Sequence, residues 1–380
     1  MSVAVASRES LPEGHIPGLD GIRALAIGLV LFSHSVIYDS FARLAPIGLV
    51  AGYAGVAVFF VLSGFLITNI LLREEERTGY ITLRLFYLRR ALRLFPALWL
   101  YLLVVSLIWL SGKLPHHPWH SFVSSLFYFR NLVGRGHETD HLWSLSIEEQ
   151  FYLLWPLVLV VLPQQNRLRL FIGIGVLNMV TWWRVFAAGT GAVPAGALYI
   201  RSDFRFDAPL FGCVLALVLR LAPRLVSWSN GTALRSRLLA LIGTAGLGAW
   251  VGLRLGRFVY PGTDATIVCL LGVMLVLSQI GVRGQVSGWF TWRPVVLLGQ
   301  ISYGIYLWQQ LFLGPQTAGF QSIRAFPIGL LATFAVATAS YTFLERPLLR
   351  LKDQKFHKSL ADIGSPLASS TPAAQTRTAA

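Results

Sequence analysis

The chain has 380 residues, 55% of them hydrophobic and only 13% charged, with a mean hydropathy of +0.61. A soluble chain carries about a quarter charged residues, and the apolar residues here fall in long uninterrupted runs, so a soluble globular domain is excluded and a polytopic membrane protein is expected. The net charge of +15 would raise nucleic acid as a partner in a soluble protein. In a membrane protein Lys and Arg accumulate in cytoplasmic loops, and no RNA-binding motif or basic soluble segment is present, so no nucleic acid is expected.

A helix needs about 20 apolar residues to cross the hydrocarbon core. About ten runs approach that criterion: 18–41, 47–72, 92–110, 146–162, 168–187, 206–221, 238–253, 266–280, 294–313 and 327–344. The sixth and eighth are the shortest. A further apolar patch at 122–129 is too short to span and reads as interfacial or re-entrant. The expected fold is all-α, a polytopic integral membrane protein of about ten transmembrane helices with both termini cytoplasmic. That orientation gives the inside loops roughly a two-to-one excess of Lys and Arg, led by Arg73, Arg77, Arg84, Arg89, Arg90 and Arg93. Residues 1–350 form the membrane-embedded domain. Residues 351–380 form a cytoplasmic tail, first basic (Lys352, Lys355, Lys358) and then disordered, rich in Ser, Ala, Thr and Pro.

Arg23 and His34 share the first run. On a helix they are about three turns and roughly 16 Å apart, on nearly one face. Intramembrane ionisable residues are functional candidates by default. Arg23 alone reads more readily as snorkelling to the headgroups. His34 lies deeper and is evenly balanced between a hydrogen-bonded packing residue and a general base. Arg90 and Arg93 stand one turn apart at the mouth of the third run, either an ordinary positive-inside cluster or a phosphate clamp. Ser63-Gly64, mid-helix, reads as close packing.

The segment from His141 to Pro156 carries two carboxylates. Ser146 and Glu149 have capping-box spacing, so Glu149 is expected to close a helix start. Glu148 is not needed for that cap, and a bare carboxylate on a helix entering the bilayer is costly unless paired or working. Asp203, Arg205 and Asp207 open the sixth run and either hold a polar acceptor or pair with one another. Cys213 and Cys269 read as small core residues. The outer-loop histidines (His116, His117, His120, His137, His141) lack metal-ligand spacing, so no metal is expected.

These elements together resemble the integral-membrane acyltransferase-3 family, O-acyltransferases of cell-surface glycans and of some antibiotics and lipids. Leu19-Asp20-Gly21-Ile22-Arg23 with His34 is similar to the family's Arg-x10-His signature. Phe60 to Ile67 is similar to its second-helix motif, Arg90-x-x-Arg93 to its arginine pair, and Trp143 to Tyr152 to its Trp-Ser-Leu-x-x-Glu block. Ser302 to Trp308 and Glu345-Arg346-Pro347 resemble its closing motifs. The chain departs from the pattern at Gln309, where the family usually has histidine.

The resemblance implies an acyl-CoA donor, usually acetyl-CoA, and a hydroxyl acceptor on a glycan or glycoconjugate. It places His34 as general base, Arg23 and Glu148 as further catalytic groups, and Arg90 and Arg93 on the donor. Asp203, Arg205 and Glu149 are weaker acceptor-binding candidates. The expected setting is a bacterial cytoplasmic membrane, with membrane lipids as partners; oligomeric state is left open. The competing reading is a secondary transporter or lipid carrier with a buried Arg/His site, which would show inverted repeats with interrupted helices; none is visible.

Overall fold

The computed structural model describes residues 14–37, 42–114, 119–133, 137–230, 232–256, 262–280, 288–314 and 321–350. The expected tail, together with His116 and His117, lies outside the described residues. Every regular element among the described residues is helical. In chain order these are α1 (Pro17–Ile37), α2 (Ala45–Thr78), α3 (Leu83–Leu110), α4 (Trp119–Leu126), α5 (Leu142–Val161), α6 (Asn166–Thr190), α7 (Ala197–Ile200) and α8 (Ser202–Arg205). They continue as α9 (Asp207–Leu221), α10 (Arg224–Asn230), α11 (Ala233–Leu255), α12 (Asp264–Gln279), α13 (Arg293–Gln300), α14 (Ser302–Phe312), α15 (Gln321–Arg324) and α16 (Ile328–Ser340). Beyond α16 the backbone makes a π-turn over Tyr341–Glu345 and then a last helical turn.

Among the described residues, seven helices are long and apolar enough to cross a membrane: α1, α2, α3, α5, α6, α11 and the stretch Ile328–Arg350. The chain is a polytopic membrane protein. The runs expected to give about ten spans therefore give seven helices of spanning length, and the other three hold shorter ones. The shortening has a local cause. α9 and α12 begin on the buried carboxylates Asp207 and Asp264, which are held by arginines inside the protein. The run at 294–313 is broken at Ile301 into α13 and α14. Just before the break, Gly299 presses on the α1 backbone, where an added Cβ would lie 1.9 Å from the Asp20 carbonyl oxygen.

α2 is the hub, and it packs against α1, α5, α9, α11 and α12. Its contacts with α1 and α9 depend on small residues, because lipid offers apolar surface as readily as another helix does and association rests on close packing. Gly48, Gly52 and Gly55 form the α2 stripe against Ser33, Val36 and Ala26 of α1. Across the other face, a Cβ at Gly64 would meet the Pro209 carbonyl oxygen at 1.9 Å, and one at Gly212 would meet that of Val61 at 1.9 Å. α6 and α11 bury one face and turn Trp182, Phe186, Leu241 and Ile242 outward. The patch at 122–129 forms the end of the short α4 and the turn after it. α4 buries Ser121, Ser124 and Ser125 and leaves Trp119 outside.

α5 starts earlier than its apolar run implies. It begins at Leu142, so Ser146 is one turn inside the helix, with its hydroxyl on the Leu142 carbonyl at 3.0 Å and accepting from the Arg130 N–H at 3.1 Å. The expected Ser146–Glu149 capping box is not formed. The apolar pattern hides the first turn because His141, Ser144 and Ser146 interrupt the apolar residues there.

Candidate active site

A cavity of about 380 Å³ opens at the end of the bundle where α1 and α3 begin, walled by α1, α2, α3, α5 and α14. Arg23, Arg90, Arg93, Glu148 and Glu149 all line it. These residues come from three separate helices, and only the tertiary fold brings them together.

The arginines differ in what they are free to do. Arg90 is committed. Its Nε lies 3.0 Å from each oxygen of Glu149 and its Nη2 2.5 Å from Oε1, a forked charge-assisted contact. The guanidinium also lies over the Tyr152 ring, 3.2 Å from its centroid, and 3.7 Å from Glu148. Arg23 is half committed. Its Nη1 donates to Asp20 at 2.6 Å, and the other Asp20 oxygen meets His15 Nε2 at 2.5 Å. Arg93 is exposed to the cavity beside Arg23 and Arg90 and makes no ion pair among the described residues. The pair expected to act alike thus splits into a structural cation and an available one.

Glu148 faces the same cavity. It accepts hydrogen bonds from Ser63 Oγ and, at 2.7 Å, from the Tyr152 hydroxyl. Ser63 therefore has a polar task next to the close packing of Gly64, which the sequence reading of that pair as packing alone had missed. The readable signal for Tyr152 was its spacing, one turn after Glu148 on the same helix face.

At its deep end the cavity reaches Ser144 and Tyr306. Their hydroxyls are 2.5 Å apart, and Tyr306 also donates to the His141 carbonyl at 2.5 Å. The buried His141 ring packs on Tyr306 and Tyr101, with centroids 5.4 Å and 5.5 Å away, and has the His34 imidazole as an electrostatic neighbour. His34 itself is partly buried and does not line the cavity. The link shown between His34 and the lining runs through His141, its electrostatic neighbour, which packs on Tyr306. Sequence reasoning weighed His141 only as a metal ligand and passed over Ser144 and Tyr306 as functional groups.

A second, shallower groove of about 640 Å³ lies at the opposite end, lined in part by Asn131, Gln150, Arg201, Ser202 and Asp203. Gln150 bonds Asn131 at 2.9 Å and accepts from Ser202, and Asn131 donates to Ser202 at 2.9 Å. Asp203 pairs with Arg201 at 2.8 Å and accepts from Trp183 at 3.1 Å. Asp207 pairs with Arg184, and Arg205 bonds Tyr53, so Asp203, Arg205 and Asp207 do not pair with one another. Arg205 is completely buried and lines neither opening. Cys213 and Cys269 are buried free thiols.

Known proteins share this chain's sequence over most of its length. A family model described as an acyltransferase domain matches residues 16–344. The chain is 30% identical over 374 residues to the peptidoglycan O-acetyltransferase OatA of Listeria monocytogenes, covering 92% of this chain and 58% of the relative. It is 31% identical over 360 residues to a putative peptidoglycan O-acetyltransferase, YrhL, of Bacillus subtilis, covering 88% and 55% respectively. It is 27% identical over 361 residues to a putative O-acetyltransferase of Staphylococcus aureus, covering 88% and 57%. The chain thus spans a little over half the length of these relatives. No solved structure matches it. With its polytopic helical fold and a family match running nearly end to end, the chain belongs to the acyltransferase-3 family of integral-membrane proteins.

Proposed function

We propose that the chain is an O-acyltransferase of the EC 2.3.1 type, moving an acetyl group from acetyl-CoA to a hydroxyl of a cell-envelope glycan, peptidoglycan being the acceptor its relatives' names point to. The observation that carries this is the cavity, where an uncommitted arginine at the mouth leads along an apolar wall to the Ser144 and Tyr306 hydroxyls, with the His141 ring packed on Tyr306 outside the lining and His34 as its electrostatic neighbour. Arg93 suits the donor's phosphates, because a guanidinium fork matches phosphate oxygens. Val56, Phe59, Phe60 and Leu66 suit the thin acyl-bearing arm. By the excess of basic residues at that end, the mouth faces the cytoplasm, where acyl-CoA is found.

His34 takes the proton from the acceptor hydroxyl as that oxygen bonds to the thioester carbonyl carbon. The C–S bond then breaks, and the imidazolium returns the proton to the departing CoA thiolate. Arg23, near the mouth, supports the donor, while Glu148 fixes Ser63 and Tyr152 along the path. Arg90 and Glu149 hold α3 to α5. The acceptor approaches from the opposite end, where the polar groove carrying Asp203 opens.

The test is acetyl transfer from labelled acetyl-CoA in membranes containing the full chain. Loss of transfer in His34→Ala with the protein still present at its usual level supports the reading. Wild-type transfer in that variant overturns the role of His34, and flux of a solute without any acyl-CoA requirement would favour the transporter reading instead.

A further inference from the structure

Behind Phe60, away from the cavity, lies a cluster of charges that the proposed reaction does not use. Arg184 and Arg205 are both buried, and among the described residues the carboxylate that bonds either of them is the equally buried Asp207. Arg184 takes that carboxylate for itself and spends its remaining donors on the carbonyls of Gly262 (2.8 Å) and Phe204 (3.0 Å) and on Thr266 Oγ1 (3.0 Å). The next acid, Asp264, is already paired with Arg254 at 3.0 Å. Arg205 is left with a neutral partner, the Tyr53 hydroxyl at 2.5 Å, and with the faces of Tyr53 and Phe60 at 4.6 Å and 5.7 Å. Aromatic faces offset only part of the cost of stripping water from a cation.

Four polar atoms in this neighbourhood have no hydrogen-bond partner among the described residues. They are Arg205 Nε and Nη2, Trp250 Nε1 and Asp207 Oδ1. Trp250 stacks on the same Tyr53 ring, with centroids 5.9 Å apart. Three of the four are N–H donors, and the group carries one positive charge more than its carboxylate cancels. A water would satisfy donors without supplying charge; an anion does both.

We infer that Arg205, with Trp250 and Tyr53 around it, binds a small monovalent anion of halide size. The anion stabilises the junction of α8 and α9 against α2 and α11. The full chain in detergent is melted at constant ionic strength while sodium gluconate, too bulky for a closed site, is replaced stepwise by sodium chloride. A saturable rise of a few degrees in Tm is expected. Arg205→Met should abolish the chloride dependence. Asp207→Asn should keep it and move the midpoint to lower chloride, by removing the competing negative charge. Identical melting in the two salts, or a dependence that survives Arg205→Met, overturns the inference. If Arg205→Met does not fold, crystals of the unaltered protein grown in bromide decide the matter: an anomalous peak between Arg205 and Trp250 supports it, and a peak-free site overturns it.

Discussion

Glu149 and Gln150 are consecutive residues of α5 that serve opposite ends of the molecule. Glu149 holds Arg90 inside the deep cavity, and Gln150 holds Asn131 and Ser202 at the far groove. A helix turns by about 100° per residue, so one step along α5 passes from one compartment's wall to the other's. This makes α5 the partition of the protein, and substitutions one residue apart on it should have unrelated consequences.

His34→Ala is expected to lower acetyl transfer by about 10²–10⁴-fold, the usual contribution of a positioned general base. Its level in the membrane should stay unchanged. Labelled acetyl-CoA and an immunoblot of the same membranes measure both.

Arg90 and Arg93 are expected to separate experimentally. Arg90→Ala leaves the Glu149 carboxylate without its partner and should destabilise the protein by roughly 3 kcal/mol, seen as a lower Tm and reduced yield. Arg93→Ala breaks no ion pair among the described residues. It should keep the Tm and raise KM for acetyl-CoA about tenfold or more, with a smaller effect on kcat.

Stability should fall as the medium is acidified below about pH 6.5. Burial, with the His34 imidazole and Arg130 adding to it, holds His141 well below its usual 6.5, while the Leu307 carbonyl opposes the shift. The folded protein therefore keeps His141 neutral where the unfolded chain binds a proton, and stability present above the unfolded value is lost below it. Tyr101 and Tyr306 pack on the ring as neutral neighbours. His141→Asn should flatten the low-pH limb of Tm against pH by up to about 1.4 kcal/mol per pH unit in stability terms. An unchanged limb would assign the acid sensitivity elsewhere.

Gly64→Ala and Gly212→Ala should each cost about 1–3 kcal/mol or more, because the new methyl meets backbone of the opposing helix and no flexible side chain can yield. Gly28→Ala is the control: nothing lies within 4 Å of its added Cβ. Fluorescence-detected size-exclusion of the three variants in detergent measures the difference.

The order of the membrane runs, the all-helical class and the identity of the polar residues worth watching were legible in the sequence, because hydrocarbon forces long apolar stretches and makes each buried charge conspicuous. Arg23, Arg90, Arg93, Glu148 and Glu149 were all visible as intramembrane or membrane-edge charges, and the structure gathers all five in one cavity. Helix lengths were less legible at α9, α12 and the α13–α14 break. A hydropathy run measures apolar content, not where a buried carboxylate or a close backbone contact ends a helix.

What the sequence determined by itself was therefore which side chains had to be explained. What only the tertiary structure decided was how their charge is distributed. Arg90 and Arg93 are one turn apart and chemically identical, yet Glu149 from another helix neutralises the first and leaves the second available. Arg184 and Arg205 compete for one aspartate, and Arg184 has it. Pairing between residues remote in the chain depends on distances of a few ångströms set by helix packing, and Coulomb energy in a low-dielectric interior makes those distances decisive.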